Sequence, residues 1–227
     1  MSFRNRTDAG RRLAAALAGY KHADPVILAL PRGGVPVAAE VAAALDAPLD
    51  LILVRKIGVP SQPELAMGAV VDGDHPIVVR NDDVITLAGI DEPLFEAVCE
   101  RELREIERRR TRYLGTRERA VVAGRTAIVI DDGVATGATT RAALRATRAR
   151  DPKRLVLAVP VAPSDSIDEL RAEVDDLVCL EEHADFGAIG YYYADFHQVS
   201  DDEVIDLLRR FPVGPPAERT APQDNRA

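Results

Sequence analysis

The segment 126–140, which reads TAIVIDDGVATGATT, constrains the fold more than any other part of the chain. Residues 127–130 form a short apolar run in which three of the four side chains are β-branched, a pattern typical of a central parallel strand that is covered on both faces. The run ends at Asp131 and Asp132, a loop of small residues follows, and an Arg- and Ala-rich helical pattern begins after Thr140. The segment therefore predicts a strand, an acidic pair, a loop and a helix start of an α/β protein.

The acidic pair and the loop each have a chemical use at this position. Ligands of open α/β sheets bind beyond the carboxyl ends of the strands, where the backbone N–H groups of a small-residue loop and a helix dipole favour a phosphate. Asp131 and Asp132 can accept hydrogen bonds from ribose hydroxyls or hold a divalent cation. We therefore expect a sugar-phosphate site, with an ordinary βα turn and surface acids as the alternative. The segment lacks the glycine motifs of P-loops and of dinucleotide-binding folds.

Residues 129–139, VIDDGVATGAT, resemble the 5-phosphoribosyl-1-pyrophosphate (PRPP) signature of type I phosphoribosyltransferases. The resemblance covers roughly residues 25–182, and the overall pattern is most similar to family members of unassigned substrate. It implies an α/β fold with about five parallel strands flanked by helices, an inserted antiparallel hairpin and a small hood. It also implies an enzyme that transfers the phosphoribosyl group of PRPP and uses Mg²⁺ as cofactor.

The resemblance places PRPP across two loops. The ribose diol would lie on Asp131 and Asp132, the 5-phosphate on the loop that follows them, and the pyrophosphate on residues 32–34, which also lie between a strand end and a helix start. By itself, a Gly-Gly pair before a helix is typical of a packing turn. Family members often have a non-proline cis peptide here, which would join Pro31 to Arg32 in this chain. Both aspartates would hold Mg²⁺, partly through water and PRPP. The candidate PRPP-binding residues are Pro31, Arg32, Gly33, Gly34, Arg55, Lys56, Asp131, Asp132, Gly133, Ala135, Thr136, Gly137, Ala138, Thr139 and Thr140.

Arg55 and Lys56 end the next predicted strand, where family members commonly have basic residues. Lys56 is expected to contact the pyrophosphate, because a lysine beside a Gly- and Pro-containing loop can reach the leaving group; a solvated lysine is the alternative. Alternation along a strand points one residue of the pair away from the site, which weakens the case for Arg55. Segment 57–64 is predicted to be a mobile loop that acts as a lid. The candidate catalytic residues are Asp131, Asp132, Lys56 and Arg32.

The acceptor of the phosphoribosyl group is less well defined. Ala135 stands where the hypoxanthine-guanine enzymes of the family carry an aspartate, so a 6-oxopurine is disfavoured and the acceptor's proton has no assigned base. A nucleobase-like acceptor in nucleotide salvage is expected. Aromatic residues after the last core strand could cover a ring, although core packing is the alternative for each of them. The candidate hood residues are Phe186, Tyr191, Tyr193 and Phe196.

Composition favours a soluble globular protein over a nucleic-acid-binding or membrane protein. The chain has 227 residues, a net charge of −8 and a pI of about 5.1, which argues against a nucleic-acid-binding surface, and no apolar stretch reaches membrane-spanning length. Cys99 and Cys179 are expected to be reduced in a cytoplasmic protein. Residues 1–211 are predicted to form one domain, whose hood comes from parts of 183–211, with the N-terminus as a candidate contributor. The proline-rich residues 212–227 are predicted to be a disordered tail.

Hydrophobic periodicity predicts the remaining elements. A first helix is expected at 8–19, capped near Thr7 or Asp8, and a charged helix at 91–117 presents an Arg-rich face that is either solvated or the contact of a homodimer. Residues 65–80 are expected to form an antiparallel hairpin that turns at Asp72-Gly73-Asp74. The other predicted elements are strands at 26–30, 49–54, 154–161 and 177–180 and helices at 35–45, 163–173 and 201–210.

A non-catalytic PRPP sensor or regulator is the alternative function. Regulators with this fold bind RNA through a basic face or add a DNA-binding domain. The acidic charge disfavours the first kind, and the roughly 24 residues before the first strand are too few for a winged helix.

Overall fold

The computed structural model describes residues 2–73 and 76–211. Strands and helices alternate along much of this part of the chain, and two short 3₁₀ helices lie at Ala18–Tyr20 and Ile189–Tyr192. The helices are α1 (Arg6–Ala16), α2 (Gly34–Leu45), α3 (Asp82–Leu87), α4 (Glu92–Leu114), α5 (Ala138–Arg148), α6 (Ser164–Arg171) and α7 (Asp201–Arg209). The strands are β1 (Pro25–Ala29), β2 (Leu49–Leu51), β3 (Val54–Val59), β4 (Gln62–Val71), β5 (Ile77–Arg80), β6 (Thr126–Ile130), β7 (Arg154–Pro163) and β8 (Asp176–His183).

Five of these strands form a parallel sheet in the order β2-β1-β6-β7-β8. The central strand β6 is buried along its whole length, as its continuous β-branched run predicts. Strands β1 and β6 pair from Pro25 opposite Thr126 to Ala29 opposite Ile130. Since both strands end at the same level, the loops that follow them leave the same edge of the sheet side by side.

The sheet divides the core into two layers because successive side chains of a strand point to opposite faces. Ile128 and Ile130 face a cluster that includes residues of α1, α2, α4 and α7. Ala127 and Val129 face the other cluster, which includes residues of α5 and α6. This arrangement confirms the predicted parallel sheet flanked by helices. No helix in the described part of the chain is both long and apolar enough to cross a membrane.

The inserted region is larger than predicted. It is a three-stranded antiparallel sheet in the order β3-β4-β5, followed by α3, which was not predicted, and α4. The predicted loop at 57–64 is wrong: β3 and β4 continue through it and pair as far as Val59 opposite Gln62. Gly58 permits this tight hairpin, because a Cβ there would lie 2.6 Å from the carbonyl oxygen of Pro63.

The boundaries of several elements also differ from prediction. The second parallel strand ends at Leu51 rather than at 54, because the chain then leaves that sheet and starts β3 at Val54. Helix α1 is capped by the Asn5 side chain, which accepts from the N–H of Asp8. Asp91 caps α4 as expected, but the helix ends at Leu114, before Gly115, which has φ 56°. The predicted turn at 72–74 lies partly outside the described residues, and the predicted tail lies wholly outside them.

Two buried aspartates hold the inserted region to the parallel sheet. Asp50, which is 1% exposed, accepts hydrogen bonds from the N–H of Leu51 and from the N–H of Ala120, each at 2.8 Å. Asp72 accepts from the N–H of Leu53 at 2.8 Å and from Arg119 Nη1 at 2.7 Å. Burial raises the pKa of Asp72, and Arg119 opposes that shift. These carboxylates therefore satisfy backbone donors where the chain passes between the two sheets.

Asp50→Asn is expected to lower the free energy of unfolding by about 1–3 kcal/mol, because one buried backbone donor loses its acceptor and meets an amide N–H₂ instead. Chemical denaturation monitored by circular dichroism measures the change. Asp46→Asn is the matched control. Asp46 is exposed at the end of α2, and its backbone has a left-handed conformation (φ 54°) that asparagine tolerates. The change in the free energy of unfolding should therefore stay within about 0.5 kcal/mol. Equal effects of the two variants would contradict the assigned role of Asp50.

Candidate active site

The loops that follow β1 and β6 line one cavity of about 460 Å³. Pro31, Arg32 and Gly33 line it from the first loop, and Asp131 and Asp132 line it from the second. The peptide bond between Pro31 and Arg32 is cis, which confirms the geometry that the family resemblance implies. The sequence-predicted acidic pair and glycine loop are therefore brought together at the carboxyl edge of the sheet.

Gly33 and Gly34 permit the close approach of the two loops. A Cβ on Gly33 would lie 2.1 Å from Asp132 Oδ2, and one on Gly34 would lie 2.8 Å from the carbonyl oxygen of Ile130 and 2.9 Å from the Cα of Asp131. Any larger residue would force the loop away from the acids. The glycine pair is thus required by contact with the acidic pair and is more than a packing turn.

The acidic pair is held in a fixed and electrostatically unfavourable position. The Asp131 Oδ1 atom accepts from the backbone N–H of Asp132 at 2.8 Å. Burial raises the pKa of Asp131 well above its usual value, and the neighbouring Asp132 carboxylate raises it further. Burial also raises the pKa of Asp132, although Arg6 opposes that shift. Because ionisation of these two carboxylates is unfavourable, hydroxyl donors or a cation that bind them would be stabilised here.

The small-residue loop ends at the N-terminus of the 11-residue helix α5. Gly137 caps the helix with φ 74°, a left-handed conformation that glycine adopts without strain. Ala135, Thr136, Ala138 and Thr139 are exposed, whereas Thr140 is buried. The loop therefore offers an accessible helix N-terminus to an anion.

The loop does not line the same cavity as the acids. Thr136 and Ala138 line a second cavity of about 590 Å³, together with Arg141 and residues of β4, β5 and α3. A ligand that uses both the loop and the acidic pair must therefore extend along the carboxyl edge of the sheet, as a phosphorylated sugar with a second anionic group would.

Arg6 is a residue of the site that sequence reasoning missed. It is 7% exposed, and its Nε donates to Asp132 Oδ2 at 2.7 Å while its Nη1 donates to the carbonyl oxygen of His197 at 2.8 Å. The guanidinium carbon lies 3.8 Å from the ring centroid of Phe196. No spacing rule links a residue at the start of α1 to an acid 126 positions later. The signal available was an arginine at the start of an otherwise apolar, buried helix face.

The four candidate hood residues occupy different environments. Phe196 lines the cavity with the acids, and Tyr193, which is 2% exposed, donates its hydroxyl to the carbonyl oxygen of Asp132 at 2.6 Å. Phe186 stacks on Tyr192 with centroids 5.0 Å apart, and Tyr191 is 73% exposed. The structure brings Phe196 and Tyr193 to the site, and packing accounts for Phe186. That these residues cover an acceptor stays a prediction.

Residues near the N-terminus complete this layer. Phe3 forms a parallel bridge with Tyr193, and its ring centroid lies 5.4 Å from that of Tyr193. The backbone N–H groups of Ala194 and Asp195 donate to the carbonyl oxygens of Phe3 and Arg4 at 2.8 and 2.9 Å. The layer above the acids is therefore built from both the first residues of the described chain and residues 189–199.

The predicted basic residues are divided between two places. Arg32 lines the acid cavity, with Nη1 3.5 Å from Asp201 Oδ1. Arg55 and Lys56 lie on β3, where they pair with Glu102 at 2.7 Å and Glu64 at 3.0 Å and line a separate cavity of about 450 Å³. The structure thus brings Arg32 to the acids but does not bring Lys56 there. A pyrophosphate contact by Lys56 stays a prediction.

The side chains present could hold Mg²⁺ with help from a substrate. Within residues 2–73 and 76–211, no group of three or more His, Cys, Asp or Glu side chains is placed to hold a metal ion. Asp131 and Asp132 supply two carboxylates, and Mg²⁺ is commonly bound by one or two carboxylates together with substrate phosphates and water. The donor set fits Mg²⁺ bound as a substrate complex.

Comparison with known proteins defines the class to which this fold and site belong. The family model of the phosphoribosyl transferase domain matches residues 3–195. The chain therefore belongs to the phosphoribosyltransferase family, and its architecture is the type I fold of that family.

Two proteins of Mycobacterium tuberculosis, from strains CDC 1551 and H37Rv, are relatives of this chain and are provisionally named phosphoribosyl transferases. Each is 47% identical to this chain over 208 residues, which is 92% of this chain and 46% of the relative. The chain thus spans about half the length of these relatives. The crystal structure of the protein TT1426 from Thermus thermophilus superposes with a TM-score of 0.81 at 41% identity and covers 93% of this chain and 100% of that one.

His197→Gln is expected to lower the melting temperature in mildly acidic solution but not in alkaline solution. A hydrogen bond to Glu203, and a second to Asp195, raise the pKa of His197 above 6.5. The stabilisation by charged His197 is therefore fully present below about pH 6.5 and is lost as the pH rises through the raised value. The effect should be small, because the side chain is 56% exposed.

Melting temperatures of the wild type and the variant between pH 5 and 9 would check this expectation. His22→Gln is the control, because His22 is exposed and takes no part in the hydrogen bonds of His197; a change that both variants share is not specific to His197. A His197→Gln effect that persists unchanged at pH 9 would show that His197 stabilises the protein by packing instead.

Proposed function

We propose that this protein moves the 5-phosphoribosyl group from PRPP to a nitrogen of a nucleobase-like acceptor and releases pyrophosphate. The observation that carries this proposal is the contact between the glycine loop and the acidic pair. Gly33 lies against Asp132 in a cavity that also contains Arg32. A pyrophosphate on the loop would thus lie beside a ribose diol on the acids, as in PRPP.

Each part of PRPP has a complementary group in the proposed site. The 5-phosphate would bind to the loop 135–140 at the start of α5, in which residues 135, 136, 138 and 139 are exposed and where N–H groups and the helix dipole favour an anion. The ribose hydroxyls would donate to Asp131 and Asp132. The pyrophosphate would lie on residues 32–34, with Arg32 as its cation.

In this reaction the main role of the protein is to position charged groups. The bond between C1 and the pyrophosphate oxygen breaks, its electron pair leaves with pyrophosphate, and the acceptor nitrogen forms the new bond to C1; an acceptor nitrogen that carries a proton releases it to solvent. Positive charge develops on the ribose ring, and the carboxylates of Asp131 and Asp132 would stabilise it. Residues 193–199 and Arg6 would exclude water from C1.

Mg²⁺ would be held by Asp131 and Asp132 and would supply positive charge to the pyrophosphate as it leaves. Ala135, in the position of the aspartate found in hypoxanthine-guanine enzymes, leaves the acceptor's proton without an assigned base. A role in nucleotide salvage, a homodimeric state and a cytoplasmic location complete the proposal.

Pyrophosphate release from PRPP and Mg²⁺ with a panel of purines, pyrimidines and simple amines tests this proposal. Release that depends on one acceptor would support a transferase. Binding of PRPP with no release for any acceptor would reject the enzyme and leave a PRPP sensor.

Asp131→Asn and Asp132→Asn are each expected to weaken PRPP binding by about tenfold or more, because a hydrogen bond to a charged group contributes roughly 1.5–3 kcal/mol. Isothermal titration with PRPP and Mg²⁺ measures the change. Asp46→Asn removes the same charge from an exposed position at the end of α2 and should bind like the wild type. Normal binding by both acidic-pair variants would show that PRPP binds elsewhere.

Gly33→Ala is expected to reduce PRPP binding more than it reduces stability. The backbone of Gly33 has φ −60°, which alanine adopts readily, so the substitution acts through the methyl group that would meet Asp132. Titration with PRPP and thermal melting should be measured together. Gly19→Ala is the control, since a Cβ there has no neighbour within 4 Å. Unchanged PRPP affinity in Gly33→Ala would place the pyrophosphate away from this loop.

A further inference from the structure

Arg6 is a buried cation of the acid cavity that the proposed reaction uses only to exclude water. Its side chain is 9% exposed, and it makes two hydrogen bonds, through Nε to Asp132 and through Nη1 to the carbonyl oxygen of His197. A guanidinium has five N–H donors, and Arg6 makes no other hydrogen bond within the described residues. None of its nitrogens is among the buried side-chain atoms that lack a partner in the described residues, so the remaining N–H donors are accessible from the cavity and can bind a ligand.

The guanidinium is held in place rather than free to turn. Its central carbon lies 3.8 Å from the ring centroid of Phe196, and the two hydrogen bonds restrict its orientation. A planar, fixed guanidinium recognises a carboxylate through paired hydrogen bonds better than an ammonium can. The geometry therefore suits a planar anionic group.

Charge decides the side from which an anion would reach Arg6. Arg6 also lines a neighbouring cavity of about 440 Å³, where the four carboxylates of Glu40, Asp195, Glu203 and Asp206 outnumber one further arginine, Arg210. In the acid cavity, the two carboxylates of Asp131 and Asp132 are balanced by Arg6 and Arg32. An anionic ligand would thus approach Arg6 from the cavity in which the transfer is proposed to occur.

PRPP binding would weaken the ion pair of Arg6. The proposed site uses Asp132 for the ribose diol and Mg²⁺, and in the structure Asp132 Oδ2 is the partner of Arg6. When Asp132 also binds the substrate, its carboxylate compensates the Arg6 charge less fully. Buried charges without a partner are strongly unfavourable, so a second anion would be favoured at this moment.

We propose that Arg6 selects an acceptor that carries a carboxylate near its attacking nitrogen, and that it binds this acceptor after PRPP has engaged Asp132. The substrate class is thus an acidic aromatic nitrogen compound rather than a neutral base. This inference rests on the proposed function, because it assigns the acceptor of that reaction.

Matched acceptor pairs that differ in one carboxylate test the inference. Pyrophosphate release is measured with nicotinate and nicotinamide, orotate and uracil, and anthranilate and aniline, for the wild type and for Arg6→Lys. Lysine keeps a positive charge beside Asp132 but lacks the planar fork. The wild type should prefer the carboxylated member of at least one pair. Arg6→Lys should reduce that preference by about tenfold or more, mainly through KM, and by a larger factor than it reduces the affinity for PRPP.

Arg12→Met is the matched control. Arg12 belongs to the same helix, lies 5.2 Å from the ring of Phe3 and bonds to Asp8, so its loss should leave the acceptor preference unchanged. A wild type that prefers the neutral members would overturn the inference while leaving the transferase intact. So would Arg6→Lys with altered PRPP affinity and unaltered preference, because Arg6 would then serve only to hold Asp132.

A separate binding measurement keeps the inference distinct from the proposed function. If no acceptor is turned over, the proposed transfer fails, and saturation-transfer NMR of the same pairs with PRPP and Mg²⁺ still reports on Arg6. Selective binding of a carboxylated member that is lost in Arg6→Lys would support the inference. Equal binding of both members of every pair would overturn it.

Discussion

The register between β1 and β6 is the constraint on which the rest of the site depends. Ala29 lies opposite Ile130, and the N–H of Leu30 donates to the carbonyl oxygen of Ile130 at 2.9 Å, so the glycine loop and the acidic pair leave the sheet at one level. A shift by one residue would turn every side chain of β6 to the opposite layer of the core. The buried side chains that stabilise the sheet therefore also determine the position of the site.

The ion pair between Arg6 and Asp132 joins this sheet edge to the layer above it. Without Arg6, Asp132 would lose the cation that α1 places beside it. The ring of Phe196 and the carbonyl oxygen of His197 would also lose the side chain that contacts both of them. Stability and binding compete here. Desolvation raises the pKa of both acids, which is a cost that a functional site can bear when the rest of the core is well packed.

Local patterns predicted the parallel sheet and the loops at its carboxyl edge. The acidic pair and both loops follow from residues that are adjacent in sequence, where strand, turn and helix signals reinforce one another, whereas the cis peptide was implied by the family resemblance. The inserted sheet was harder, because Gly58, Pro60 and Pro63 suggest a loop while pairing between β3 and β4 overrides them. Arg6 and the separation of Lys56 from the acids depend on contacts between distant segments, for which a single sequence has no periodic signal.

The pairing of Phe3 with Tyr193 has a consequence for how the molecule assembles. Contacts between residues so far apart in the chain have a high entropic cost of closure and tend to form late in folding. During synthesis from the N-terminus, Arg6 must therefore wait, without its partners, until both Asp132 and residues 193–197 have emerged. The acid cavity can therefore be completed only after nearly all of the described chain has been synthesised.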